Sequence, residues 1–395
     1  MLHFFSPATP NNQSRPDGLA ALVRKRTCAC VTPVLSCESK NGGAGRFCCP
    51  CLLLAGADFE NGIGETIMTE FKSKQSKAIS RRTFCRSAIT AAVALHFTKP
   101  SAEASGMKNR VKFYKNLGHG HIGVKANQRQ ALEYAVKYGF DSITPNLGEF
   151  ENKSTMEIRE WVATMKERGV RYGASGLPVG FRRDEARFQR DLARLPRQAS
   201  VLKQLGVKRM ATWIPPGHRE LTYLQNFEQH KKRLREVAKV FKDNGIQLGL
   251  EFVGPRTSRA RSRFPFICTQ LGMMELAEAI GTGNVGLLLD SWHWYTSHGT
   301  VEELIQLSNN DVIHVHVNDA PSGIPVDQQI DNRRRLPVTT GVIDLRGFIN
   351  ALVKIGYDGP VECEPFDQEL RKMEDNAALQ KTIASLNRLW DLITV

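Results

Sequence analysis

Four short apolar runs in the C-terminal half of the chain each carry a metal-type ligand at or near their last residue. They are Leu248-Gly249-Leu250-Glu251, Gly286-Leu287-Leu288-Leu289-Asp290, Val312-Ile313-His314-Val315-His316 and Pro360-Val361-Glu362-Cys363-Glu364. Short apolar runs bounded by turn signals read as buried strands. A charge at the end of such a strand is costly to bury unpaired, so its presence points to a site. Glu251, Asp290, His316 and Glu364 together are a donor set for a hard or borderline divalent cation.

Those four strands belong to a longer pattern. From residue 111 the chain alternates β and α, with strands expected near 111–117, 141–145, 171–175, 208–213, 247–252, 285–290, 312–317 and 360–364. Between them lie amphipathic helix patterns at 128–138, 155–168, 184–205, 226–244, 273–280, 301–307 and 345–355, and 376–392 closes the chain. Gly139, Gly169, Gly206, Gly245 and Gly356 each follow a helix and precede a strand, the position of a helix C-cap glycine. Eight βα units predict a (β/α)8 barrel. An open doubly wound sheet is the alternative, but no Gly-rich dinucleotide fingerprint follows the first strand. In such a barrel the site lies at the C-terminal strand ends, which places the four ligands on strands five to eight. His119 and His121 after strand one, Asn146 and Glu149 after strand two and Trp213 at the end of strand four reach the same face. His314 lies deeper than His316 on the same side and reads as a support. Trp292, Trp294 and Tyr295 read as packing residues. The loop with Arg256, Arg259, Arg261 and Arg263 suits either an anionic group or plain solvation.

The first 104 residues differ from the rest. They hold seven of the nine cysteines and no sustained period, and only Cys268 and Cys363 remain for the body, so no disulfide framework is implied. The net charge of +14 is scattered apart from the arginine loop and Arg333-Arg334-Arg335. Ser80-Arg81-Arg82-Thr83-Phe84-Cys85 resembles a twin-arginine export signal. An Ala-rich stretch to Phe97 and the small-x-small site Ala102-Glu103-Ala104 follow it. The apolar stretch is too short to anchor the chain in a bilayer. Met68 opens a basic segment suited to the start of that signal. The expectation is that residues 1–67 are disordered or untranslated, that 68–104 are a signal read by the twin-arginine machinery, and that 105–395 form an exported, extracytoplasmic barrel.

The body also resembles the xylose-isomerase-like barrels, in particular the sugar isomerase and epimerase group. The resemblance covers about residues 110–392. It rests on Leu250-Glu251, Leu289-Asp290-Ser291-Trp292-His293, His314-Val315-His316-Val317-Asn318-Asp319 and Gly356-Tyr357-Asp358-Gly359-Pro360-Val361-Glu362-Cys363-Glu364. It implies one divalent metal, manganese first and magnesium, cobalt or zinc next, held by Glu251, Asp290, His316 and Glu364. It further implies that Glu251 and Glu364 handle protons and that His293 contacts substrate. An arginine that several epimerases carry six residues past the histidine ligand is replaced by Ser322, and Arg333, Arg334 and Arg335 are the candidates to stand in for it. With Arg334, the residues His121, Glu149, Trp213 and Asn318 complete the expected substrate-binding set.

The chemistry implied is removal of a proton next to a carbonyl through an enediolate, on a small carbohydrate. Lyases that dehydrate inososes or cleave 3-keto-glycosides share the scaffold and are the alternative. An endonuclease-IV-like nuclease ranks lower, because no histidine follows His316 to complete a three-zinc site. A non-catalytic sugar-binding barrel ranks beside it. No nucleic-acid partner is expected, and a homo-oligomer is left open.

Overall fold

The structure is a computed structural model that describes residues 111–394. The expected leader and export signal, and the seven cysteines of the first 104 residues, lie outside the described residues. In the described part, parallel strands alternate with helices and curl into a barrel.

The strands are β1 (Tyr114–Leu117), β2 (Ser142–Ile143), β3 (Arg171–Tyr172), β4 (Ala174–Gly176), β5 (Arg209–Trp213), β7 (Gln247–Glu251), β9 (Val285–Asp290), β10 (Val312–Val317) and β11 (Pro360–Cys363). β1 pairs with both β2 and β11, and the ladder runs on through β10, β9, β7 and β5 to β4. β3 and β4 occupy one barrel position, so the sheet's two ends meet within one expected strand. The break falls at Gly173, whose N–H still reaches Ile143 O at 3.0 Å. The amide of Asn116 fills the space a Cβ at Gly173 would need. All eight expected strands are present, with the third divided. A short antiparallel pair, β6 (Gly217–His218) and β8 (Phe264–Pro265), was not expected. Two residues per strand leave no readable period.

The helices are α1 (Gln128–Tyr138), α2 (Thr155–Glu167), α3 (Glu185–Gln204), α4 (Tyr223–Asp243), α5 (Arg256–Arg259), α6 (Gln270–Ile280), α7 (Ser291–Thr296), α8 (Val301–Leu304), α9 (Leu345–Lys354), α10 (Gln368–Arg371) and α11 (Asp375–Trp390). α4 and α6 begin three residues before the apolar period predicts. Thr222 and Thr269 cap them, and Gln225 completes a capping box in α4. The five predicted C-cap glycines all adopt positive φ, between 70° and 79°. The helices press Leu132, Leu202, Phe241 and Leu352 onto the outer faces of the strands, all fully buried. Among the described residues no helix is long and apolar enough to cross a membrane.

One buried histidine on the scaffold sets a pH limit. His230 of α4 packs between the rings of Phe181 and Phe266, and its Nδ1 lies 2.9 Å from Asn226 O. Burial pushes its pKa down to about 4. The unfolded chain therefore binds a proton that the folded chain refuses between about pH 6.5 and 4, and stability falls as the pH drops through that window. The expected loss from this group is roughly 3 kcal/mol. Denaturant titrations of wild type and His230→Gln at pH 7 and pH 4.5 check it: the variant should lose less stability on acidification by about that amount.

Candidate active site

Each ligand reaches the site because its strand ends there. Glu251 is the last residue of β7, Asp290 the last of β9, and Glu364 follows β11 directly. His316, one residue before the end of β10, lies in register with Asp290 on one side and Glu362 on the other. One ligand atom from each of Glu251, Asp290, His316 and Glu364 lies within 4.8 Å of all the others. His316 Nδ1 is 3.4 Å from Glu364 Oε2, 3.6 Å from Glu251 Oε1 and 3.8 Å from Asp290 Oδ2.

This donor set fits a divalent cation. Glu251 Oε1 and His316 Nδ1 are buried and lack a well-formed hydrogen bond. Burial raises the Glu251 carboxyl above its ordinary pKa. Burial opposes ionisation of Glu364 too, but His316, His121 and Arg334 hold its pKa well below the carboxylate range. His316 is held well above its ordinary value, because Glu364 and Glu251 outweigh its burial. A cation here would satisfy the two unmet atoms and keep Glu251 ionised.

Arg334 already supplies positive charge at this place. Its Nη1 lies 2.8 Å from Asp290 Oδ2 and 2.9 Å from Glu364 Oε2. Its Nη2 lies 2.8 Å from Asp331 Oδ1 and 3.1 Å from His293 Nε2. The guanidinium is fully buried between the rings of Trp292 and Phe366, and Phe366 holds a strained φ of 42°. Arg335 instead donates to Arg334 O.

The loop that delivers Arg334 is tied down by Asp319. This fully buried carboxylate accepts from six backbone N–H groups, those of Ala320, Thr339, Thr340, Gly341, Val342 and Ile343, at 2.9–3.2 Å. Asp319 also exchanges both backbone bonds with Arg335. Asn318 next to it braces the ligands: its Nδ2 donates to both oxygens of Asp290, and its Oδ1 accepts from Glu364 N–H.

Above the ligands opens a cavity of about 610 Å³, lined by Glu251, Glu364, Arg334, His293, His121 and the exposed indole of Trp213. Pro215, Pro216 and Phe366 form an apolar wall, and Ser258, Arg261 and Ser262 stand at its outer side. A second cavity of about 330 Å³ runs under it into the barrel, past His314, His316 and Glu362.

Of the expected residues, the structure brings His121, Trp213, His293 and Arg334 to the cavity, while Asn318 lies beneath it. Glu149 lines neither cavity. Its carboxylate faces Gln128 N–H at the start of α1 and accepts from Asn146 Nδ2. The 3₁₀ turn Leu147–Glu149 that follows β2 carries it to the helix end, where a carboxylate complements the helix dipole. Sequence reasoning passed over Glu362, Asn116 and Thr144. Glu362 and Glu364 alternate on one strand and so face the same way, and that spacing was the available signal.

A family model described as "Xylose isomerase-like TIM barrel" matches residues 132–389. The chain is 25% identical over 254 residues to an inosose isomerase of Bacillus velezensis, covering 63% of this chain and 86% of that protein. It is 22% identical over 272 residues to a Synechocystis protein named "Probable ketose 3-epimerase", covering 66% of this chain and 86% of that one. Among solved structures, a xylose isomerase domain protein from Alicyclobacillus acidocaldarius superposes with a TM-score of 0.64 at 28% identity, covering 71% of this chain and 99% of that one.

Two substitutions test the charge balance. Asp319→Asn should cost roughly 3 kcal/mol of stability and speed amide hydrogen exchange at residues 339–343, since several N–H groups lose a charged acceptor. Arg334→Met strips a buried cation from Asp290 and Glu364 and should destabilise the metal-free protein by about 3–5 kcal/mol. Manganese should then raise the melting temperature of the variant more than that of wild type. Equal increments would mean that Arg334 and the metal do not share their carboxylate oxygens.

Proposed function

Because the chain belongs to the xylose isomerase-like TIM barrel family, we propose that it is a divalent-metal-dependent isomerase or epimerase of sugars or polyols. One observation carries this reading: Glu251 and Glu364 stand on different strands at a single cation position, both open to the same cavity. Glu251, Asp290, His316 and Glu364 would hold the metal, which supplies Lewis-acid stabilisation of charge that develops on substrate oxygen. The named relatives, an inosose isomerase and a ketose 3-epimerase, support a carbonyl-bearing polyol as substrate.

The protein's own groups suit proton removal next to a carbonyl. Carbon acids of this kind are weak, so a carboxylate must lie against the C–H while charge gathers on oxygen. Glu251 and Glu364 approach from different sides of the cavity, one to take a proton and the other to give one. The buried Arg334 guanidinium lends positive charge beside the oxygen that gains charge, and His293 stands next to it on the cavity wall. Trp213 presents an indole face on which a sugar can lie, with Arg182 on its other side.

The size of the cavity favours a lyase as the second reading. A volume of about 610 Å³ exceeds what one sugar ring fills, and the wall of Pro215, Pro216 and Phe366 suits an apolar substituent. Release of an aglycone from a 3-keto-glycoside would decide for it. Export through the twin-arginine route is proposed from Ser80–Cys85, the Ala-rich stretch to Phe97 and Ala102-Glu103-Ala104, and N-terminal sequencing of the mature protein tests it.

The central experiment is a screen of inososes, ketoses and 3-keto-glycosides in D2O with manganese. Deuterium should enter the carbon beside the carbonyl, and chelation should abolish this. Glu251→Gln and Glu364→Gln should each slow it more than about 10³-fold, because metal binding and proton transfer fail together. Bound metal without exchange on any of these substrates would overturn the isomerase reading.

A further inference from the structure

Below Glu251, Asp290, His316 and Glu364 lies a second arrangement, built around Glu362. Glu362, two residues before Glu364, points into the barrel and is 1% exposed. Its Oε2 accepts from Asn116 Nδ2 and from Thr144 Oγ1, the latter at 2.9 Å. Ser142 holds Asn116 in turn through its Oδ1 at 2.7 Å. The carboxylate occupies the space where a Cβ on residue 118 would stand, so Gly118 is what lets it pass. Two histidines approach this carboxylate: the buried His314, whose Nε2 lies 3.7 Å from Oε2, and one that reaches the cavity. Glu362 Oε1 lies 2.7 Å from Nδ1 of His121, a half-buried histidine in the loop after β1.

The His121–Glu362 contact is close without the geometry of a directed hydrogen bond. Contacts of this kind commonly tighten when substrate binds. A carboxylate at one ring nitrogen sets the orientation of the imidazole and turns the other nitrogen toward its work. Here that nitrogen, Nε2, faces the cavity 3.6 Å from Glu364 Oε1. His121 lines both the outer and the inner cavity, so it flanks the place where substrate meets the metal ligands.

Resting on the isomerase or epimerase reading above, we infer that His121 is a further catalytic residue, positioned by Glu362, that carries a proton between two substrate oxygens. This makes the reaction a transposition of a carbonyl to the neighbouring carbon. Transposition moves two protons. One leaves carbon for a carboxylate and returns to the former carbonyl carbon. The other leaves the hydroxyl of the carbon that becomes the new carbonyl, passes to His121 Nε2, and is delivered to the former carbonyl oxygen. One C–H and one O–H bond break, one of each forms, and no oxidant or co-reactant is consumed. Epimerisation beside a fixed carbonyl ends with its oxygens as they began, and calls for no such carrier.

The test compares two rates in one tube. Wild type, His121→Asn, His121→Ala and Glu362→Gln, each loaded with manganese, are given an inosose and a ketohexose in D2O. Deuterium entry beside the carbonyl and net conversion to the carbonyl-transposed product are both followed. The expected result is that His121→Asn slows conversion by roughly 10²-fold while deuterium entry falls far less. Imidazole in the buffer should restore part of the conversion in His121→Ala. Glu362→Gln should lower kcat for conversion with KM changed by no more than about twofold. As a check free of turnover, histidine 15N spectra of the metal-free protein should show a proton on Nδ1 of His121 that Glu362→Gln displaces.

Undiminished conversion in His121→Asn, or conversion and exchange falling in parallel without imidazole rescue, overturns this inference alone. Wild type that inverts a carbon without moving the carbonyl also overturns it and leaves an epimerase. Wild type that exchanges no deuterium overturns the isomerase reading and this inference with it.

Discussion

Four carboxylates buried at one barrel mouth must find positive charge within a few ångströms. Glu251, Asp290, Glu362 and Glu364 are each less than about one-eighth exposed. Burying an ionised carboxylate without compensation costs several kcal/mol. The charges are met in two tiers. Arg334 and His316 serve Asp290 and Glu364 above. His121, His314, Asn116 and Thr144 serve Glu362 below. Glu251 is left with a buried oxygen that nothing satisfies well, which is why its pKa is raised and why a further cation fits.

Much of the surrounding structure follows from that constraint. Arg334 cannot stand between Asp290 and Glu364 unless its loop is rigid, and a loop held by one carboxylate on six backbone N–H groups is rigid. Asn318 fixes the relative placement of two ligands from different strands by contacting both. Gly118 leaves the lower carboxylate its room. The barrel supplies the acids on rigid strand ends, and the loops supply the groups that answer them.

The periodic parts of this architecture were legible in the sequence. The helix at 128–138 appears with the predicted bounds because its apolar stripe, its Asn127 cap and its Gly139 stop all agree. The starts of α4 and α6 were missed because the apolar stripe begins a turn after the cap, and the threonine caps went unread. The division of the third strand was not legible, since it depends on Asn116 from another strand leaning on Gly173. Glu149 followed the expected strand but a 3₁₀ turn carried it to the start of α1, and strand-end position alone does not report the path of the next turn.

The sequence by itself determined the fold class and four of the acid or imidazole groups at its mouth, because burial and period are properties of short segments. Arg334 was singled out among three consecutive arginines from the sequence, but only the tertiary structure showed why it turns inward, since Asp319 sets that loop from fifteen residues away along the chain. It alone showed that Glu362 answers His121, because the partners lie on β11 and just beyond β1, at opposite ends of the barrel's sequence but adjacent in the closed barrel. Charge compensation is a relation in space, and no local pattern of residues records it.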